Sequence, residues 1–221
     1  MPPSAAGRRR RPSVGDGVVV AVRAKRKPGR PRNTSSEDTK LHILEAAVDC
    51  FAEGGFDGTA SLTIAEHAGV TPATIYHHFT NKRTLYIAAF QHSIDVAWQQ
   101  YTEVADGAYL SVVDEVMAVI RRACAIMRDR PAMTLLAIRA QVDVPTADID
   151  IGAVSELFEA MVARAVARGE LREEDAVLFA QTVGMFLWGL SVVGRHDDAI
   201  RTRCADALER VLRNTLITTP T

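Results

Sequence analysis

The densest group of chemistry-bearing side chains lies in the run Thr71-Pro72-Ala73-Thr74-Ile75-Tyr76-His77-His78-Phe79-Thr80-Asn81-Lys82. Hydroxyls and an ammonium suit phosphate oxygens, while Ala73 and the methyl of Thr74 can touch a thymine methyl. Ile75 and Phe79 sit four apart and form an inward face, leaving Ala73, Thr74, Tyr76, His77 and His78 outside. A helix buried on both sides does not normally carry a His-His pair and a tyrosine so close together. On pattern alone the alternative is a solvated helical hairpin whose polar residues are only surface. Catalytic patterns are missing from the sequence: there is no Gly-x-Ser-x-Gly, no phosphate-cradling glycine-rich loop and no His/carboxylate metal signature.

These groups are held by short helical elements. Ser35 or Ser36 can cap a first helix with Glu37 and Asp38 in its first turn, and Ile43, Leu44, Ala47, Val48 and Phe51 recur on one face. Gly54-Gly55 is expected to stop it. A second helix carries Leu62, Ile64, Ala65 and Ala68 as its apolar positions and ends at Gly69, with cap candidates from Thr59 to Ser61. Thr71 followed by Pro72 is a helix-start pair, since proline at the first helical position loses no bond. Asn81 caps a longer helix from Lys82. Two short helices joined by Gly69-Val70-Thr71 form a helix-turn-helix candidate, with residues 72–79 as the element able to enter a major groove.

Residues 41–90 resemble the DNA-binding domain of TetR-type transcriptional regulators. The resemblance is carried by Ile43-Leu44-Glu45-Ala46-Ala47, Phe51-Ala52-Glu53-Gly54-Gly55-Phe56, Ile64-Ala65-Glu66-His67-Ala68-Gly69-Val70, Thr74-Ile75-Tyr76-His77-His78-Phe79 and Asn81-Lys82, in the family's order and spacing. It implies an all-α homodimer, with an N-terminal three-helix helix-turn-helix domain on a larger helical effector-binding and dimerisation domain. By position, Ala73, Thr74 and His77 would face base edges, and Thr71, Tyr76, His78 and Lys82 would hold phosphates. Ser61 joins the DNA-contact set, although Leu62 stands where the family often has a polar contact. Ala60 stands where a capping hydroxyl is common, so Ser61 or Thr59 is expected to cap instead.

Composition fits an ordinary globular chain of 221 residues, 48% apolar and 24% charged, long enough to bury a core without staples. Its net charge of −1 conceals an asymmetry: residues 1–34 carry ten Arg/Lys against Asp16 alone, net +9, and the rest is net −10. A basic arm before an acidic body is a nucleic-acid-binding pattern; a solubilising tail or a start site set too far upstream are the alternatives. Prolines and four glycines leave the arm no periodic apolar face, and disorder is expected there. Lys27-Pro28-Gly29-Arg30-Pro31-Arg32 is like an AT-hook core, which would place Arg30 and Arg32 in a narrow minor groove. The apolar run at 18–22 is too short for an export signal. Cys50, Cys124 and Cys204 lie far apart without metal-ligand spacing, so no metal and no cofactor are expected, and a reducing, cytoplasmic location is the simple reading.

Beyond Phe90, helices are expected near 82–104, 109–128, 131–143, 150–168, 173–194 and 198–216, with breaks at Asp106-Gly107, Arg130-Pro131, Val144-Pro145 and Gly169. Trp98, Tyr101, Met117, Met127, Met133, Phe158 and Met161 could line an apolar effector cavity, with ordinary core packing the plainer reading of each. Residues 176–194 carry no charge and approach membrane-spanning length. Gln181, Thr182, Ser191 and the absent positive-inside bias argue against insertion and for a helix between its own core and another subunit. Ile200, Cys204, Leu208, Val211, Leu212 and Thr215 give the last helix a matching face, so the two C-terminal helices are expected to form the homodimer interface.

The expected function is therefore a ligand-responsive DNA-binding regulator, a repressor released from a palindromic operator by a small-molecule effector, and not an enzyme. The domain plan is a basic arm at 1–34, a helix-turn-helix domain at 35–81 and a ligand-binding and dimerisation domain at 82–221. One rival is a helical enzyme acting on an isoprenoid-like substrate, but Asp197-Asp198 and Asp148-Ile149-Asp150 lack the partner acids that magnesium diphosphate needs. Another is a dimeric adaptor without specific DNA binding.

Overall fold

The computed structural model describes residues 35–143, 152–193 and 197–216. The basic arm with Arg30 and Arg32, the expected break at Val144-Pro145 and residues 194–196 lie outside the described residues. Every α-helix and the one 3-10 turn among the described residues falls close to a segment that the periodicity marks: α1 Ser36–Gly58, α2 Ser61–His67, α3 Pro72–His78, α4 Lys82–Ala105, α5 Val112–Asp129, α6 Pro131–Asp143, α7 Gly152–Ala167, a 3-10 turn Glu173–Asp175, α8 Ala176–Val193 and α9 Asp198–Leu216.

The helix starts follow from local chemistry. Ser35 caps α1 in a reciprocal box, its hydroxyl accepting from Asp38 N while the Asp38 carboxylate accepts from Ser35 N. Those bonds hold the Asp38 carboxyl below its usual range. Asn81 caps α4 through Thr84 N, and Ser111 caps α5 through Asp114 N. Contrary to the sequence expectation, Gly54-Gly55 does not end α1. The chain kinks at Gly55, with φ 68° and ψ −177°, and winds on to Gly58. That backbone conformation is open in practice to glycine alone. Two contacts hold the kink: the buried Thr59 hydroxyl lies 3.0 Å from Cys50 O and 2.8 Å from Gly55 O, and Arg139 Nη2 of α6 donates to Glu53 O at 3.2 Å.

Two apolar clusters form the interior. The first joins Ile43, Ala47 and Phe51 of α1, Ile64 and Ala65 of α2 and Ile75 of α3 to Leu85, Tyr86 and Phe90 of α4 and Met133, Leu136 and Ala140 of α6. Tyr86 stands edge-on to Phe51 and Phe56 at 4.8 and 5.3 Å, and its hydroxyl donates to Asp143 Oδ2 at 2.8 Å. Burial and that carboxylate raise the phenol well above its ordinary pKa. The second cluster packs Val113, Val116, Met117 and Ile120 of α5 against Leu157, Phe158 and Met161 of α7, Val183 and Leu190 of α8 and Ala205 of α9. Glu115 is buried there, and its carboxylate meets Arg164 and, at 3.7 Å, Arg168. A buried carboxylate is tolerated because it is paired.

The face expected on α9 divides. Cys204, Leu208 and Leu212 turn toward the second cluster, while Ile200 and Val211 are exposed.

Placing a methyl group at Gly55 also brings it 3.1 Å from Arg139 Nη1. Gly55→Ala is expected to lower unfolding free energy by about 1–3 kcal/mol, whereas Gly58→Ala, which meets nothing within 4 Å, is expected to be neutral or slightly stabilising. Denaturant titration of the two variants against the parent checks the difference.

Candidate nucleic-acid interface and effector cavity

The turn between α2 and α3 is built from backbone bonds. Val70 N donates to Ala65 O at 2.9 Å and Gly69 N to Glu66 O at 3.2 Å, with Gly69 at φ 66°. This paired closure satisfies the last carbonyls of α2 and reverses the chain with a left-handed residue. Val70 then packs on the first cluster, and Thr71 caps α3 by accepting from Thr74 N at 3.2 Å. Pro72 occupies the first turn, where its missing N–H costs nothing.

Because Ile75 and Phe79 are buried, the rest of α3 is forced outward. Ala73, Tyr76 and His77 are exposed, with Thr74 and His78 half-buried beside them. Thr71 and Thr74 hydroxyls share a bond of 2.9 Å. The Tyr76 phenol donates to Ser61 Oγ at 3.1 Å and so ties the start of α2 to the end of α3. The His77 and His78 rings stand edge to face at 5.3 Å. One surface thus presents hydroxyls, a phenol, imidazoles and a methyl, together with the N-terminus of α3.

Lys82 is placed differently from a free phosphate contact. Its Nζ donates to Thr59 O at 3.0 Å and lies 4.5 Å from the centre of the Phe56 ring, so the ammonium also braces the α1–α2 corner. The capping expectation is corrected. Ala60 is the N-cap of α2 and makes no side-chain cap bond, because the Thr59 hydroxyl is taken by α1 carbonyls and Ser61 by Tyr76. Leu62, expected in the core with Ile64 and Ala65, is 57% exposed and lies on the outer side of α2.

A cavity of about 260 Å³ lies between α4, α5, α6, α7 and α8. Trp98, Tyr101, Met127, Met133 and Phe158 line it. Met117 and Met161 do not; both are fully buried in the second cluster. Sequence reasoning missed Ile94 and Ala97, although 94, 97, 98 and 101 share one face of α4 at helical spacing. It also missed Leu187 and Trp188 of α8, since a charge-free run gives no sign of which face turns inward. Burial pushes the Tyr101 phenol up to about 12.

Comparison with known proteins agrees with this architecture. Residues 43–89 match the family model of bacterial regulatory proteins of the tetR family. The HTH-type transcriptional regulator RutR of Escherichia coli (strain K12) is 34% identical over 107 residues, 48% of this chain and 49% of RutR. The regulator UidR of the same strain is 30% identical over 76 residues, 34% of this chain and 39% of UidR. The alignments therefore span half or less of these relatives' own lengths. A crystal structure of the transcriptional regulator FadR from Bacillus subtilis, in complex with stearoyl-CoA, superposes with a TM-score of 0.68. It covers 82% of this chain and 99% of FadR at 18% identity, a likeness of fold. Residues 43–89 thus match the DNA-binding domain of the tetR family of bacterial regulatory proteins, and the fold of the chain is like that of FadR.

Proposed function

We propose that this protein is a ligand-responsive, DNA-binding transcriptional regulator that represses from a palindromic operator and leaves it when a small molecule fills the body cavity. One observation carries the DNA-binding half: α3 turns Ala73, Tyr76 and His77 outward from a helix whose inner face is locked by Ile75 and Phe79. In this reading Ala73, Thr74 and His77 meet base edges, while Thr71, Tyr76, His78, Ser61 and Lys82 position the backbone. The basic arm adds phosphate attraction, with Arg30 and Arg32 in the minor groove. The protein acts in the cytoplasm, where operator DNA is found.

The regulatory half rests on α6. Met133, Thr134 and Ala137 line the cavity, and Met133, Leu136 and Ala140 belong to the core that supports α3. A ligand that displaces α6 therefore displaces the support of the recognition helix. Release follows if the ligand binds better to the arrangement with the wrong helix spacing.

A second copy is the partner that fits α8. Val177, Leu178, Met185, Val192 and Val193 are exposed on a helix that buries Val183, Leu190 and Ser191 in its own core. The helix is long and apolar enough to cross a membrane by length and composition, but it is a wall of the cavity and packs with α7 and α9. Pairing α8 and α9 with their copies removes that apolar face from water and sets two recognition helices about 34 Å apart.

The test is salt-dependent binding of the full chain to a promoter fragment from its own locus. His77→Ala is expected to weaken specific binding by roughly tenfold or more, the effect of removing one base-edge hydrogen bond, and Tyr76→Phe to weaken it less. Equal binding by parent and variants overturns the interface. Deleting residues 1–34 is expected to flatten the salt dependence by about 0.9 logarithmic units of slope for each phosphate that the arm neutralises; an unchanged slope removes the arm from the complex. Met185→Glu places a charge on the exposed stripe of α8 and is expected to yield monomers in sedimentation, with operator affinity falling in parallel. A dimer that survives it excludes this face.

A further inference from the structure

The cavity wall has a chemical bias that its apolar character conceals. No Lys, Arg, His, Asp or Glu is among the described residues that line it. Its polar groups are the hydroxyls of Ser93, Tyr101, Thr134 and Ser191 and the Trp98 indole. Ser93 and Ser191 donate their hydroxyl protons to Ala89 O at 3.0 Å and Trp188 O at 2.7 Å, within their own helices, and so offer only lone pairs. Tyr101, its ring 5.2 Å edge to face with that of Trp98 one turn back on α4, and Thr134 carry hydroxyls that can donate to a ligand. The Trp98 Nε1–H has no acceptor among the described residues and is open neither to solvent nor to the cavity, which Trp98 meets through its ring carbons.

Resting on the regulator reading, we infer that the effector is a small, uncharged, mainly apolar molecule carrying a carbonyl-type acceptor for the Tyr101 hydroxyl, with Thr134 as a second hydroxyl on the wall. Both net charges are disfavoured by the same wall. An anion finds no guanidinium or ammonium, a cation finds no carboxylate, and either loses its hydration on entry. Phosphate-bearing ligands such as coenzyme A esters fall outside this class. The volume, about 260 Å³, lies just below the ~300–1,000 Å³ of drug-sized ligand pockets and fits a short chain or a single ring better than a long acyl group. Tyr101 stays protonated throughout the physiological range, so recognition by this wall carries no titration of its own near neutrality.

The chain has two tryptophans, Trp98 and Trp188, and both line the cavity. Intrinsic fluorescence of the full-length protein therefore reports occupancy directly. The probes are 2-nonanone, nonanoate and nonylammonium, which share a short alkyl chain and differ in the head group. Expected results are saturable binding of 2-nonanone at least tenfold tighter than either ion, with an affinity constant from pH 6 to pH 9. Calorimetry on Tyr101→Phe, which keeps the ring, is expected to show roughly a tenfold loss for the ketone, the size of one hydrogen bond. Thr134→Val, which keeps the side-chain shape, gives an independent variant with a smaller loss should Tyr101→Phe fail to fold. Equal or tighter binding of an ion, no binding of any probe, or unchanged ketone affinity in both variants overturns the inference. Operator release is measured separately. Selective ketone binding without release leaves the ligand class standing and defeats the regulator reading, whereas specific operator binding with no ketone selectivity does the reverse.

Discussion

Everything this protein is proposed to do depends on α6 being shared between two interiors. Leu136 and Ala140 are fully buried in the cluster that also holds Ile75, and Thr134 and Ala137 face the cavity. Close-packed interiors cannot absorb a displaced helix by compressing, so a shift of α6 must be passed on. Its C-terminal half is tied to the same core by polar contacts. Arg139 holds Glu53 O beside the Gly55 kink, and Asp143 accepts from Tyr86 between the Phe51 and Phe56 rings. Fully burying one leucine stabilises by about 1.5–3 kcal/mol, which is comparable with the free energy of a typical allosteric coupling. A few such contacts are therefore enough to transmit an effector's binding energy.

The α3 surface is set by a chain of local constraints of a different kind. The backbone closure at Gly69 and Val70 fixes the angle between α2 and α3, the Thr71 cap and Pro72 fix where α3 starts, and Ile75 and Phe79 fix its rotation. Once start and rotation are set, the outward residues have no freedom of register. Tyr76 is then placed to reach Ser61, and this bond makes the start of α2 part of the same surface. The outward set therefore carries the information, and the inward set carries the precision.

Much of this was legible in the sequence because it is periodic or local. Helix starts with a capping residue and a clear apolar stripe, such as α4 after Asn81 and α5 near Ser111, can be read from a few neighbouring residues. The outward face of α3 follows from the four-residue spacing of Ile75 and Phe79. What escaped depends on partners distant in sequence. Thr59 reads as a cap for α2, but its hydroxyl meets carbonyls of α1 that only the Gly55 kink brings near. Lys82 reads as a free cation until Phe56 and Thr59 O are seen beneath it. Met117 and Met161 resemble Met127 by type; which methionines reach a cavity is decided by the rotation of α5 and α7 in three dimensions.

Helix α8 is ambiguous as sequence and informative as structure. An uninterrupted apolar run has no amphipathic phase, so length alone makes a membrane span, a core helix and an interface helix look alike. In the fold the run resolves into three faces: Val183 and Leu190 against the second cluster, Gly184 and Leu187 on the cavity, and Met185 with Val192 outward. Trp188 belongs to two of them, lining the cavity while 41% exposed. A molecule seated against Trp98 and Trp188 therefore touches the helix that faces outward as well as the cavity that α6 shares. The requirement to be apolar on every side, which obscured α8 in the sequence, is what a helix must satisfy if one binding event is to be felt by both α3 and the proposed second copy.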